Sequence, residues 1–404
     1  MQRARMMRLG TGLMAVVVAV LMTGRWEPVA AGGTDGEYRV LKPIQSGDLT
    51  LFPVMRADGK ALPADHFLTL DEGLKSGEVE VTEAGKVQGL VRSRGAATPW
   101  RYTGDQVNTL VLVNNSKRPL LLLAGEIVTG GKQDRVIAKD RIVPPGADPI
   151  DLSVFCIEHG RWTESSAKFG ATAKNATGSF MVQPSVRQKA MVAKDQQQVW
   201  NSVNGAISTM AVVAGAGPAV NTSGAVVMGG PVMTGPVHGS VQTLGTDING
   251  GAALGTTSYA KAMQTQAVSA KVDEETAGVA QSREQALATL RQEHAIGVVV
   301  AVRGEVIWAD IFSDTELLTR YWTKLVRSYA AEGLGSISHG TASTADAQRF
   351  LDAPAHGRED SEGEVGVYRY REVKTSGTDL FALEALLPGT GYDVHVSKLK
   401  LKVP

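Results

Sequence analysis

Residues 296–329, IGVVVAVRGEVIWADIFSDTELLTRYWTKLVRSY, decide the fold class. Two β-rich runs, Ile296 to Val302 and Glu305 to Ile311, flank Arg303-Gly304, where glycine can take the positive φ that a tight hairpin turn requires. Ser313-Asp314-Thr315-Glu316 then reads as a helix cap, and Leu317, Leu318, Tyr321, Trp322, Leu325, Val326 and Tyr329 recur on one helical face. A hairpin followed by an amphipathic helix buries both apolar surfaces by packing one on the other, which predicts an α+β body. Asp310, at an alternating hairpin position, is either a solvent-face residue or a site acid, whereas Trp322, Lys324, Ser328 and Tyr329 read as helix packing and solvation.

Just upstream of the hairpin, a capping pattern at Ser282-Arg283-Glu284-Gln285 opens a helix that closes near Gly297. Downstream, a short helix near Ala345 to Leu351 leads to three strands, Val365 to Glu372, Leu380 to Leu386 and Tyr392 to Leu401. Upstream, Asp48 to Ile157 reads as short antiparallel strands: Leu152, Val154 and Cys156 share one face, and Leu120 to Leu123 is continuously apolar. Leu68 to Leu74 is the exception and reads as a helical turn before a strand near Val79 to Val81. A helical pattern runs from Val186 to about Val213. Twelve glycines then fall between Gly205 and Gly255, and Asp247 alone is charged from Asn201 to Ala260, so a long flexible insertion is expected. The expected organisation is a signal peptide over 1–31, a sandwich-like β-rich half over 43–185, a helix and Gly/Ala/Val-rich insertion over 186–262, and C-terminal helices packed on antiparallel strands over 263–401.

Arg3, Arg5 and Arg8 precede an uncharged run from Leu9 to Met22, which is shorter than the roughly 20 residues a membrane span needs and resembles an export signal. Val29-Ala30-Ala31 offers the small residues of a cleavage site, so the chain is expected to be exported, periplasmic or secreted, with no membrane span after cleavage; an uncleaved anchor is the rival reading. Removal of residues 1–31 leaves 37 basic and 40 acidic residues, a balance that argues against nucleic acid as a partner. Cys156 is the single thiol, so no internal disulfide can form. It reads as a core residue, because His159 at i+3 on a strand points the other way.

Gly125 to Lys132 imitates a phosphate loop, but the lysine comes one residue late and Gln133 stands in place of Ser/Thr. Gly215-Ala216-Gly217 lacks a strand-turn-helix setting, and the seven histidines show no close metal-ligand spacing, so neither a cofactor nor a metal is expected. Two clusters remain. Glu126 with Lys132, Gln133, Asp134 and Arg135 places two glycines beside cations that can pair with an anion. Glu158-His159-Gly160-Arg161-Trp162 places an acid, an imidazole, a guanidinium and an indole on one loop. Ordinary strand-end ion pairs and an Arg-Trp stack account for the same residues.

Leu68-Thr69-Leu70-Asp71-Glu72, Leu122-Leu123-Ala124-Gly125-Glu126, Gly131-Lys132-Gln133-Asp134-Arg135, Cys156 to Trp162 and Trp322 to Tyr329 together resemble the ARG and rhodanese-phosphatase-superfamily-associated protein domain over roughly Pro43 to Leu401. Asp134 and His159 stand where Asn and Gln are expected of many relatives. The family is named for an association with ADP-ribosylglycohydrolases, which implies a link to ADP-ribose or related nucleotides. The resemblance also implies that Glu126, Lys132, Gln133, Arg135, Glu158, Arg161 and Trp162 form one site. The expected function is binding of a small anionic or nucleotide-like ligand, with Lys132, Arg135 and Arg161 on the anion and Trp162 stacking. The alternatives are a hydrolase of an ADP-ribose-like or other phosphorylated ligand using Glu126 or Glu158 as general acid/base, and a protein-interaction or structural role.

Overall fold

The valine-rich run at Gly297–Val302 lies inside a nine-stranded sheet, and all six of its residues are buried. The computed structural model describes residues 36–60, 62, 66–83, 109–161, 163–170, 180–215, 254–280, 283–334, 340–387 and 391–401. The expected signal peptide, most of the glycine-rich insertion, Trp162 and Ser282 lie outside the described residues.

Along the chain the strands are β1 (Tyr38–Val40), β2 (Ile44–Ser46), β3 (Leu49–Arg56), β4 (Leu68–Thr69), β5 (Val79–Glu83), β6 (Thr109–Asn114), β7 (Leu120–Leu122), β8 (Ile127–Val128), β9 (Arg135–Ile137), β10 (Arg141–Val143), β11 (Ile150–Cys156), β12 (Lys168–Phe169), β13 (Gly297–Val302), β14 (Glu305–Phe312), β15 (Arg358–Glu364), β16 (Tyr368–Lys374), β17 (Thr378–Ala385) and β18 (Tyr392–Lys400). The helices are α1 (Leu70–Ser76), α2 (Pro184–Gln188), α3 (Gln196–Val213), α4 (Tyr259–Gln264), α5 (Gln266–Glu275), α6 (Ala277–Ala280), α7 (Arg283–Gln292), α8 (Thr315–Gly333) and α9 (Thr344–Asp352).

The large sheet runs β1-β3-β13-β14-β18-β17-β16-β15, with β2 also paired to β3. A six-stranded sheet runs β12-β5-β6-β11-β9-β8, and a three-stranded one β10-β7-β4, where β4 and β7 pair in parallel. The rest of the pairing is antiparallel, in an α+β arrangement. The strands at 38–56 therefore complete the sheet of the C-terminal hairpin, through β3 against β13.

The β13–β14 hairpin turns at Arg303 and Gly304, both at positive φ (49° and 84°), so Arg303 accepts the left-handed conformation that the turn imposes on both central residues. The period of two then sorts the valines. Val298, Val300 and Val302 pack with Leu317, Leu318, Trp322 and Leu325 of α8. Val299 and Ala301 pack with Ala347 and Leu351 of α9. The large sheet is thus covered on both faces by helices, and each such side chain contributes about 1.5–3 kcal/mol by leaving water. Asp314 caps α8 by accepting from Leu317 N at 2.8 Å, and Thr69 and Ser343 cap α1 and α9 with reciprocal capping boxes.

Three features depart from the sequence pattern. The helical stretch from 186 is broken, because Lys194 adopts φ 51° after a π-helical turn at Lys189–Ala193 and Asp195 recaps α3. Helices α4 and α5 lie upstream of Ser282, in a segment whose small residues, interspersed with polar and charged ones, carry little periodic signal. β15 is a full strand of sequence REDSEGE, without one apolar residue to betray it.

Candidate functional site

The register of the six-stranded sheet brings the two polar strings together. β9 pairs with β11 so that Arg135 faces Cys156, which sets Asp134 beside Ile157 and Glu158. Ile157 N donates to Asp134 O at 3.0 Å, and Asp134 N donates to Glu158 Oε2 at 3.2 Å. The loop between β8 and β9 is tight: Gly130 and Gly131 have φ 135° and 50°, and a Cβ on Gly131 would lie 2.3 Å from the Phe169 ring. Only glycine fits there.

Arg161 folds back over this loop. It lies 2.6 Å from Glu158 Oε2 and 3.4 Å from Asp134 Oδ1, and it donates to the carbonyls of Gly131 at 2.8 Å and Gly130 at 3.2 Å. The first turn of α4 closes the other side. Ser258 Oγ donates to Asp134 Oδ2 at 2.6 Å while accepting from Lys261 N, and Lys261 Nζ reaches Glu158 Oε1 at 3.4 Å. Two adjacent carboxylates thus meet two cations, and their proton affinities diverge. Burial, then the neighbouring Glu158 charge, raises the Asp134 pKa. Burial would raise Glu158 as well, but the Arg161 hydrogen bond and charge, with Lys261, outweigh it and lower its pKa.

Arg135 is buried one residue further on, with its guanidinium donating to Gln133 O at 2.6 Å and lying 3.7 Å from Glu83 Oε1, which also accepts from Lys132 N. Lys132 is half-buried. Gln133 is fully buried, and among the described residues neither its Nε2 nor its Oε1 has a hydrogen-bond partner; Arg135 Nε and Arg161 Nε are likewise unmet there. Buried groups of this kind are rare.

Glu158 and Arg161 are therefore brought together around Asp134, while Arg135 binds the Gln133 carbonyl and Glu83 one residue along the chain, with Lys132 also held to Glu83 through its backbone. Glu126 is engaged elsewhere: it accepts from Leu123 N at 2.7 Å and pairs with Lys324 of α8, which also binds Asp71 at 2.8 Å. Burial pushes the Glu126 pKa up, with Lys324 opposing; against burial, Asp71 and Glu126 hold the Lys324 ammonium above its ordinary value. Cys156 is buried, and desolvation lifts its thiol to about 11, which makes it a poor nucleophile. His159 packs edge-on against Trp200.

Sequence reading missed Ser258 and Lys261, which follow the nearly uncharged stretch; the one local signal is a serine three residues before a lysine at a helix start. It also missed a second, fully buried polar hub. Arg187 of α2 donates to Asp310 Oδ2 at 2.8 Å and to Ser397 Oγ at 3.0 Å, Tyr329 donates to Asp310, and His395 Nδ1 lies 2.6 Å from Asp140 Oδ2. Asp310, left open between solvent and site, is thus an internal acid; burial opposes but Arg187 and His395 hold its pKa far below the usual range. Burial would lower His395, yet Asp140 and Asp310 raise it to about 9. Lys324, Ser328 and Tyr329, read as packing and solvation, each make buried polar bonds.

Among the described residues there is no group of three or more His, Cys, Asp or Glu that could hold a metal, and no helix long and apolar enough to cross a membrane. A sequence profile described as the ARG and Rhodanese-Phosphatase-superfamily-associated Protein domain matches residues 37–399. No curated protein and no solved structure matches the chain.

Proposed function

The chain belongs to the ARG and Rhodanese-Phosphatase-superfamily-associated Protein domain family, a family without an assigned activity, and from that premise we propose that it is an exported domain binding a small anionic or nucleotide-like ligand at the Gln133–Glu158–Arg161–Lys261 cluster. The observation that carries this reading is the Gln133 amide, fully buried and, among the described residues, unmet at both atoms. An unpaired buried polar group costs about 1–3 kcal/mol, so a site that keeps one gains when a guest supplies the missing donor and acceptor. A primary amide offers one donor face and one acceptor, the complement of an amide or nucleobase edge. Arg161 and Lys261, with side chains 17% and 56% exposed, lie toward solvent, where an anionic group of the ligand would meet them. Export rests on the Arg3–Met22 pattern and the Val29-Ala30-Ala31 cleavage signal.

Thermal unfolding in the presence of nucleotides, ADP-ribose and sugar phosphates tests the reading, since a ligand at a hundred times its Kd stabilises by about 2.7 kcal/mol. Gln133→Leu and Lys261→Ala are the informative variants, because Arg135 is buried against Glu83 and its loss would disturb the fold. A stabilising ligand whose effect both variants abolish is the expected result; no shift across the panel rejects ligand binding. N-terminal sequencing of the mature protein, expected to begin at Gly32, tests export.

A hydrolytic reading is favoured by one further observation: Asp134 and Glu158 are adjacent carboxylates with pKa shifts of opposite sign, an arrangement that separates a proton donor from a base. Glu158 would then be the base and Asp134 the acid, with Glu126 committed to Lys324. Release of product from a bound phosphorylated ligand, lost in Glu158→Gln with binding retained, is the outcome expected of an enzyme.

A further inference from the structure

The two edges of the nine-stranded sheet are treated differently. At the β1 and β2 edge the side-chain amide of Gln348 in α9 imitates a neighbouring strand, accepting from Val40 N at 2.9 Å and donating to Tyr38 O at 3.0 Å. Further along the same edge, α6 lies against β2, with Gly278 N donating to Ser46 Oγ. At the other end, among the described residues, β15 pairs with β16 on one side only, and all seven of its residues are exposed. A strand of this length spans about 23 Å and presents a ladder of backbone donors and acceptors for another chain.

Beside its C-terminal end is a surface pocket lined by Glu364 of β15, Asp148, Asp151, Pro144, Pro149 and Ile150, with Arg141 as the one cation on its wall among the described residues. Strand and pocket together have the anatomy of strand addition, in which backbone bonds supply affinity and a neighbouring pocket selects a side chain. Charge identifies the occupant. β15 carries Glu359, Asp360, Glu362 and Glu364 against Arg358 alone. Lys139 pairs with Glu362 at 2.6 Å and Arg141 lies 3.9 Å from Glu364, so those two carboxylates are partly answered. Glu359 and the exposed Asp148 add to the acidic excess. An acidic edge repels a second copy of itself, which excludes self-pairing as the use of this strand.

We propose that β15 is a docking edge for an extended basic segment of a partner protein, which adds as a further strand and sends one Lys or Arg side chain into the pocket. The aliphatic stem packs on Pro144, Pro149 and Ile150, and the charged head meets Asp148 and Glu364.

The probe is a fluorescently labelled, capped heptapeptide alternating lysine and valine, compared by anisotropy with the same peptide carrying glutamate for each lysine, on the purified protein. Saturable binding of the lysine peptide, absent for the glutamate peptide and weakened at least tenfold in the Asp148→Asn/Glu364→Gln double variant, is expected. Ser361→Pro and Glu362→Pro add a backbone test. On neighbouring strand residues one N–H faces β16 and the other the open edge, so one variant should leave thermal unfolding unchanged while abolishing binding. Failure of the lysine peptide to saturate, equal binding of the glutamate peptide, or unchanged lysine-peptide affinity in both proline variants overturns the proposal, the last by assigning the attraction to charge alone.

Discussion

Two polar clusters have matching charge and opposite openness. In the hub, Arg187 and His395 face Asp140 and Asp310, and all four side chains are at most 1% exposed. In the Asp134–Glu158–Arg161–Lys261 cluster two cations again face two carboxylates, but exposure climbs from Glu158 at 3% to Lys261 at 56%, and the amide of Gln133 is left unmatched among the described residues. The difference separates holding from receiving. The hub joins α2, β14, β18 and the segment before β10 with its side chains buried, whereas the cluster joins two loops to a helix start and keeps a cation at the surface.

Removing one hub charge should separate the two clusters most strongly. Arg187→Met leaves Asp310 buried without its main cation and should cost about 3–5 kcal/mol in urea unfolding. Lys261→Met, at a half-exposed ion pair, should cost less than about 1 kcal/mol. Equal losses would erase the distinction.

Alkaline pH tests the hub next. Because His395 has a folded pKa near 9, above its ordinary 6.5, its contribution is fully present below pH 6.5 and is lost as the pH rises through 9. Between those values stability should fall by on the order of 3 kcal/mol. His395→Gln should flatten that slope, and an unchanged slope would show that His395 does not carry it.

A smaller effect is expected at Arg161, whose replacement by alanine should lower stability by about 1–2 kcal/mol while abolishing any ligand-induced thermal shift. The smallest concerns Gln133. Gln133→Leu removes an amide that no described residue satisfies, so stability should stay within about 1 kcal/mol of the parent or rise. A loss above about 2 kcal/mol would mean that the amide has a structural partner after all.

Legibility followed locality. The β13–β14 hairpin and α8 were readable because alternation and helical spacing are properties of neighbouring residues, and the same holds for the Leu152–Cys156 face. The Gln133 and Glu158 strings were readable as polar islands at strand ends, and the register of β9 on β11 then joins them. The hub was not readable. His395 and Asp140 are separated by 255 positions, and each resembles an ordinary strand or turn residue until the sheet order is known. Ser258 and Lys261 follow a glycine-rich stretch whose composition masks the helix they begin. β15 escaped because its burial does not alternate: both faces are exposed, so sequence pattern and strand geometry are uncoupled there.

The pairing of β3 with β13 has a consequence in time. Leu49 pairs with Val302, and Val54 with Gly297, so the strands made first acquire their partner some 250 residues later. At about 5–20 residues per second, tens of seconds of synthesis separate the two. The entropy of closing so long a loop grows only with the logarithm of its length, so the delay burdens folding rate more than final stability. A nascent chain ending short of Gly297 keeps the apolar Leu49–Val54 segment as an unsheltered edge, and truncation there should produce aggregation rather than a half-sized fold.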